Sequence, residues 1–233
     1  MRHNRIGMLR PLLRHFEFEY ADGYLFWDNA GRVARDLTQA IPGLQFRNQL
    51  IDQREFFVPT STLELVYGIR LATLRSWEED AAQFRKQTGL LVEILSEDLE
   101  LETLTRFRFQ LVIGWPCKTQ DEAHAVSMKL LPEEVSRNVK TGEFQAAQLE
   151  IRKSAIVATT RYMILELAPP PGPARPDFPG PRVPYSAVSA TYEGFDRLSI
   201  REFKTVAHLE EMENFVTTDF LKRITTKPDA KPS

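Results

Sequence analysis

Residues 104–115 read LTRFRFQLVIGW. Phe107, Phe109, Leu111, Ile113 and Trp115 fall on one side of an extended chain, and Arg106, Arg108 and Gln110 on the other. Successive side chains of a strand point to opposite faces, so this is a half-buried strand with one face on a core. Pro116 closes it. Downstream, Thr119–Glu122 (TQDE) forms a capping box, whose two side chains satisfy free backbone N–H groups at a helix start. That helix is expected to run to about Leu131, with Pro132 interrupting it and a short helical piece continuing to Val139. Thr141-Gly142 is a turn, and residues 144–152 and 155–167 read as two long strands.

The next segment, residues 169–184 (PPPGPARPDFPGPRVP), holds eight of the chain's 15 prolines. Proline lacks an N–H and fixes its own φ, so this is expected to be an extended loop, not a central strand or a helix. Residues 185–193 resume alternation and should pair back with the strand before the loop. A final helix is expected over Thr205–Ile224, with Val206, Leu209, Met212, Val216, Phe220 and Ile224 on its apolar face.

Working back toward the N-terminus, the same order of elements occurs once more. Phe16, Phe18 and Tyr20 alternate with Glu17 and Glu19 in a short strand. Residues 28–41 carry Ala30, Val33, Ala34, Leu37 and Ile41 at helical spacing, with Asp28 or Asn29 as the cap and Pro42-Gly43 as the end. Strands follow at Leu44–Leu50, Arg54–Pro59 and residues 63–71. Ser76–Glu79 (SWEE) is a second capping box, and the helix behind it aligns Trp77, Ala81, Phe84, Thr88, Leu91, Val92 and Leu95. Gly89 weakens that helix by about 1 kcal/mol relative to alanine.

The predicted fold class is α+β: two similar halves, each strand–helix–strands–helix, with a mostly antiparallel sheet and helices packed on one face. The expected divisions are an N-terminal extension at 1–13, a first half at 14–101, a second half at 102–226 and a disordered tail at 227–233. The halves share no convincing residue-level identity, so the repeat is one of element order.

Composition bounds the function. The chain has 233 residues, 42% hydrophobic and 27% charged, which suits a globular protein with a sizeable core. Thirty basic and 32 acidic residues give a net charge of −2. A global basic field is absent, which disfavours nucleic acid as a partner. One cysteine, Cys117, excludes an intramolecular disulfide. No run approaches the ~18 apolar residues of a membrane span, and the basic N-terminus lacks the apolar core of a signal peptide. A cytoplasmic location is expected.

No constellation of chemical residues stands out, so neither a cofactor nor a metal is expected. His3, His15, His124 and His208 show no metal-ligand spacing. Phosphate-binding glycine loops are absent. Cys117 stands near a helix start, where a thiol becomes more acidic, with His124 one or two turns on. The plainer reading is a lone cysteine in a turn, and it is favoured. The acidic run Glu97–Glu102 reads as a solvated connection. Arg47, Arg54, Arg70, Arg106, Arg108, Arg152 and Arg161 all fall in predicted strands. They could build a basic face for an acidic partner, but interspersed Glu17, Glu19, Glu64 and Glu150 favour mixed Arg/Glu ladders.

Leu9–Tyr20 (LRPLLRHFEFEY), the helix end Ile41-Pro42-Gly43, the strand at 104–115 and the ending Phe215–Ile224 (FVTTDFLKRI) together resemble a family of uncharacterised, sporadically distributed bacterial proteins. The resemblance spans most of the chain and departs from it in the proline loop and the basic N-terminal extension. It implies a two-half α+β layout in the bacterial cytosol and carries no assigned activity.

The expected function is therefore binding without catalysis: protein–protein interaction or homo-oligomer formation, within a larger assembly or a defence or regulatory operon. Arg106, Arg108, Arg161 and Phe178 are the candidate interaction surface. The alternative is a small-molecule binder with a pocket between the sheet and the C-terminal helix, lined by Phe107, Phe109, Tyr162, Phe215 and Phe220. An enzyme with a dispersed active site is the third reading.

Overall fold

The computed structural model describes residues 10–130 apart from 22, 61 and 78–79, then 146–153, 156–167, 183–194, 198–200, 203, 205–211 and 213–214. In the strands at 146–153 and 156–167 only the backbone is described. The described elements are β1 (Arg10–Tyr20), α1 (Phe26–Ala40), β2 (Gln45–Gln49), β3 (Gln53–Phe57), β4 (Glu64–Gly68), β5 (Leu71–Ser76) and α2 (Ala81–Asp98). They continue with β6 (Thr103–Pro116), α3 (Gln120–Leu130), β7 (Ala146–Lys153), β8 (Ile156–Leu167), β9 (Val183–Gly194) and β10 (Leu198–Ser199). Residues 205–211 are helical as well.

The fold is α+β, and all ten strands join one antiparallel sheet in the order β2-β3-β4-β5-β1-β6-β9-β8-β7, with β10 on β6. Its centre is the long pairing of β1 with β6, which sets Phe16 opposite Phe109 and Phe18 opposite Phe107. From β1 the sheet grows outward through β5, β4, β3 and β2. From β6 it grows outward through β9, β8 and β7. The strands on either side of the proline loop pair as the alternation predicts, with Leu167 opposite Val183. Residues 168–182 of that loop, Phe178 included, lie outside the described residues.

One face of the sheet is closed by helices. Phe16, Phe18, Tyr20, Phe107, Phe109, Leu111 and Ile113 share a single core with Val33 and Leu37 of α1, Phe84, Leu91 and Leu95 of α2, and Phe203 and Leu209. α3 lies on the same side. Ser127 hydrogen-bonds Ser186 at 2.8 Å, and Ser186 stands opposite Trp115, in the same row alternation as Phe109. Burial of this one face is the main stabilising term of the fold.

Several sequence expectations are corrected. β1 begins at Arg10, inside the stretch expected to be an extension, because Arg10, Pro11 and Leu13 have partners on β6. The single strand expected over 63–71 is two strands, β4 and β5, with a turn at Ile69-Arg70. Tertiary backbone bonds close that turn: Ile69 N–H donates to Asp52 O, and Tyr20 N–H to Arg70 O. Ser76 does not start a helix. It ends β5 opposite Arg14, and α2 starts four residues later with Asp80 accepting from Gln83 N–H at 2.9 Å. Strand pairing captured the serine that local propensity assigned to a cap.

The first helix starts at Phe26, with Leu25 as the capping position and no side-chain cap. Asp28 lies in its first turn, and Asn29 donates to Asp98 O at 2.7 Å instead. Burial of Phe26 outweighs the missing cap. Half of the Thr119–Glu122 box forms as read, with Glu122 N–H donating to Thr119 Oγ1, while the Glu122 carboxylate accepts from Lys118 N–H at 2.9 Å, one residue before the cap. Val206 is half exposed, lying over Gly89 of α2 at the rim of the core. Residues 131–145, and so the expected helical piece to Val139, lie outside the described residues, as do residues 215–233.

Candidate functional site

The second face of the sheet carries no described helix. Strand alternation sends His15, Glu17 and Glu19 of β1 to this face, since Arg14, Phe16 and Phe18 point to the helices. Gln110, Arg108 and Arg106 of β6 stand directly opposite them. On the far side of β6, Glu193 pairs with Arg108 in register, and on the far side of β1, Arg75 and Thr73 stand opposite His15 and Glu17. Four strands thus bring one row of polar residues together.

Most of the charges on this face are paired. Arg106 donates to Glu19 at 2.7 Å and to Glu193 at 3.4 Å. Arg108 Nε lies 3.1 Å from the same Glu193 carboxylate. Arg47 and Glu64 make a further pair at 3.2 Å, nearer the β2 edge. Burial works against the charge on Arg106, but the Glu19 hydrogen bond and the Glu193 charge outweigh it and hold its pKa above the ordinary value. The arrangement is an Arg/Glu ladder, the plainer of the two sequence readings for these arginines.

His15 is the exception. Its side chain is 7% exposed, and among the described residues Nε2 has no hydrogen-bond partner, with the Glu17 carboxylate 4.0 Å away. Burial, then the positive charges of Arg75 and Arg108, push its pKa down to about 4, with Gln110 opposing them in part. The imidazole is neutral at pH 7. Gln110 is itself committed to Ser189, at 2.7 Å.

A different feature closes one end of the first five strands. Three connections meet there: the β1–α1 loop, the β2–β3 turn and the β4–β5 turn. A Cβ on Gly23 would lie 2.1 Å from Ile69 O, and one on Gly68 would lie 2.6 Å from Asp52 O. Only glycine permits these backbones to approach so closely. Tyr20 Oη donates to Gly68 O, Arg54 donates to Leu50 O at 2.7 Å, and the Arg54 guanidinium lies 5.2 Å from the Phe26 ring centre. On this tightly built end Tyr24 is 71% exposed, Trp27 53% and Ile51 81%, with Leu50 and Leu71 beside them. Asp28, Asp52 and Arg70, neighbours in sequence of Trp27, Ile51 and Leu71, are exposed as well.

The sequence-predicted residues divide. Arg106 and Arg108 reach the open face. Phe107 and Phe109 point the other way into the core, where Phe107 packs on Phe203 and Tyr192 and Phe109 on Phe84. Arg161 and Tyr162 occupy β8 opposite Ser189 and Val188, as backbone positions only. Phe178, Phe215 and Phe220 lie outside the described residues. Cys117 is buried, its Sγ 3.5 Å from Trp115 O. Among the described residues no group of three or more His, Cys, Asp or Glu could hold a metal ion, and no helix is long and apolar enough to cross a membrane.

Sequence reading passed over His15 and the exposed end. The usable signals were the complementary rows His-x-Glu-x-Glu in 15–19 and Arg-x-Arg-x-Gln in 106–110, which match when the strands run antiparallel. No protein-family model matches the chain, and no curated protein is found to match it.

Proposed function

We propose that the protein works by binding and not by catalysis, and that it assembles with a second copy of itself through the apolar end of its first half. The observation that carries this reading is the exposure of Tyr24, Trp27 and Ile51 on a platform held rigid by close backbone contacts. Large apolar groups gathered on a solvent-facing end favour association, and a rigid platform loses little entropy when it docks. Both signs of charge occur in the same segments, in Asp28, Asp52, Arg54 and Arg70. That mixture suits self-association about a two-fold axis, where each acid meets the partner's base.

The same reading takes the chain as two related units joined through β1 and β6. Each runs from a first strand through a helix to a group of antiparallel strands, the last long one of which returns beside the first. An antiparallel central pair is what a two-fold axis through the sheet requires. The setting proposed for the assembly is the bacterial cytoplasm.

Sedimentation across a wide concentration range tests the proposal. A dimer is expected for the native chain, and a monomer for Trp27→Glu combined with Ile51→Asp. A native chain that stays monomeric throughout overturns it. So does a double variant that dimerises as before.

A further inference from the structure

We propose that the aromatic platform at the apolar end, carried by Tyr24 and Trp27, receives the proline-rich segment 169–182 (PPPGPARPDFPGPR) of a second copy. The inference rests on the self-assembly reading and names what each copy contributes to the contact. Tyr24 is 71% exposed and Trp27 53%, three residues apart where α1 begins. The Trp27 ring stands edge-on to the buried Phe26 ring, 5.3 Å between centres, and the Arg54 guanidinium backs Phe26. The exposed rings are therefore presented from a fixed base. Aromatic rings held in this way suit proline-rich peptides: proline rings pack on them, and a chain whose φ is already fixed loses little entropy on docking. Charge agrees with the match. The platform's segments expose Asp28, Asp52 and Arg70, and the proline-rich segment carries Arg175, Asp177 and Arg182, so two acids and a base meet two bases and an acid.

Topology decides that the segment comes from another copy. The apolar end lies at the Leu104 end of β6, because Tyr20 pairs with Leu104. The segment leaves the sheet at the opposite end, because Leu167 pairs with Val183 and Tyr185 stands opposite Pro116. From Leu104 to Pro116, β6 spans about 40 Å at ~3.3 Å per residue. The segment is tied at both ends to the paired residues Leu167 and Val183, so it projects by half its contour at most, roughly 30 Å at ~3.5 Å per residue. It therefore falls short of its own platform. In a two-fold pair lying side by side in opposite directions, each copy's segment reaches the other's platform. Two contacts then form together, and the dimer closes on itself.

A synthetic peptide of residues 168–184, titrated into the native chain, tests this. The readouts are the Trp27 indole resonance by NMR and the oligomeric state by sedimentation. The peptide is expected to shift that resonance saturably and to convert dimers to monomers. The same peptide carrying Pro173→Ala, Pro176→Ala and Pro179→Ala keeps its charge and should bind about tenfold more weakly. In the full chain, replacing residues 169–182 with a short glycine–serine turn should yield a monomer with the amide spectrum of a folded protein. Arg175→Glu combined with Arg182→Glu keeps the loop length and should weaken the dimer about tenfold. A peptide that leaves the Trp27 resonance unmoved, or a loop-replaced chain that dimerises as before, overturns this inference while the apolar-end assembly stands. An unrelated proline-rich peptide that binds as tightly overturns the assignment to this segment. A native chain that stays monomeric overturns the assembly reading, and this inference with it.

Discussion

Arg14 and His15 are adjacent in β1 and serve opposite faces of one sheet. Arg14 enters the closed face. Its Nε donates to Glu213 Oε1 at 3.0 Å, and Arg85 donates to the other oxygen of the same carboxylate at 2.8 Å. That cluster joins the central strand, α2 and the C-terminal helical residues in a buried, fully engaged network. His15 enters the open face, among ion pairs with side chains about a third exposed, and its Nε2 is left unmatched. The same residue types therefore do different work. Where helices exclude water, charges must be matched, because an unmatched one has no solvent to turn to. Where the sheet meets solvent, each pair is worth little.

The strongest way to break this comparison is on the closed face. Glu213→Ala leaves Arg14 buried without its carboxylate and should cost about 3–5 kcal/mol. Urea unfolding should show a lowered midpoint with an unchanged slope. A loss below about 1 kcal/mol would place the cluster with surface pairs and erase the contrast.

His15 gives the next largest effect, and it depends on pH. Its pKa falls from 6.5 in the unfolded chain to about 4 in the folded one. The stabilisation from keeping it neutral is complete above pH 6.5 and is lost as pH falls through 4. From the shift the total is about 3 kcal/mol. The groups facing it are Glu17 on its own strand, Arg75 and Thr73 on β5, and Arg108 and Gln110 on β6. Unfolding free energies measured between pH 7 and 4 should fall less steeply in His15→Gln than in the native chain. Equal slopes would show that carboxylates alone set the acid sensitivity.

The smallest effect is expected at Arg108→Gln, which breaks a pair with the arginine one-third exposed and should cost under about 1 kcal/mol. It also removes a positive charge from His15, so the imidazole pKa should rise, which NMR titration would record. A large loss of stability with no movement of His15 would mean that Arg108 belongs structurally to the core side of the contrast.

Much of this was legible in the chain. The alternation of 104–115 correctly separated Phe107 and Phe109 from Arg106 and Arg108, because a strand leaves only two directions for a side chain. The turn at Ile69-Arg70 was not legible: Leu71–Ser76 continues the apolar character of the strand before it, and the bonds that fold it back come from Tyr20 and Asp52. The Ser76 cap failed for a related reason. Its four-residue pattern is a local preference of about 1 kcal/mol, and pairing with Arg14 across β1 competes with it. The site was hidden more deeply. Nothing local marks His15, since its burial and its arginine neighbours come from β5 and β6, some 60 and 95 residues away.

By itself, the amino-acid sequence determined most of the strands and helices, though not the break at Ile69-Arg70 or the start of α2, and which side of each long strand seeks a core. Periodicity and burial are properties of neighbouring residues, and they can be read from one segment at a time. The tertiary structure alone decided that β1 and β6 pair at the centre of a single sheet, that Arg14 meets Glu213, and that His15 Nε2 has no hydrogen-bond partner among the described residues. Those outcomes depend on register between distant strands, where a shift of one residue exchanges the two faces and every contact on them.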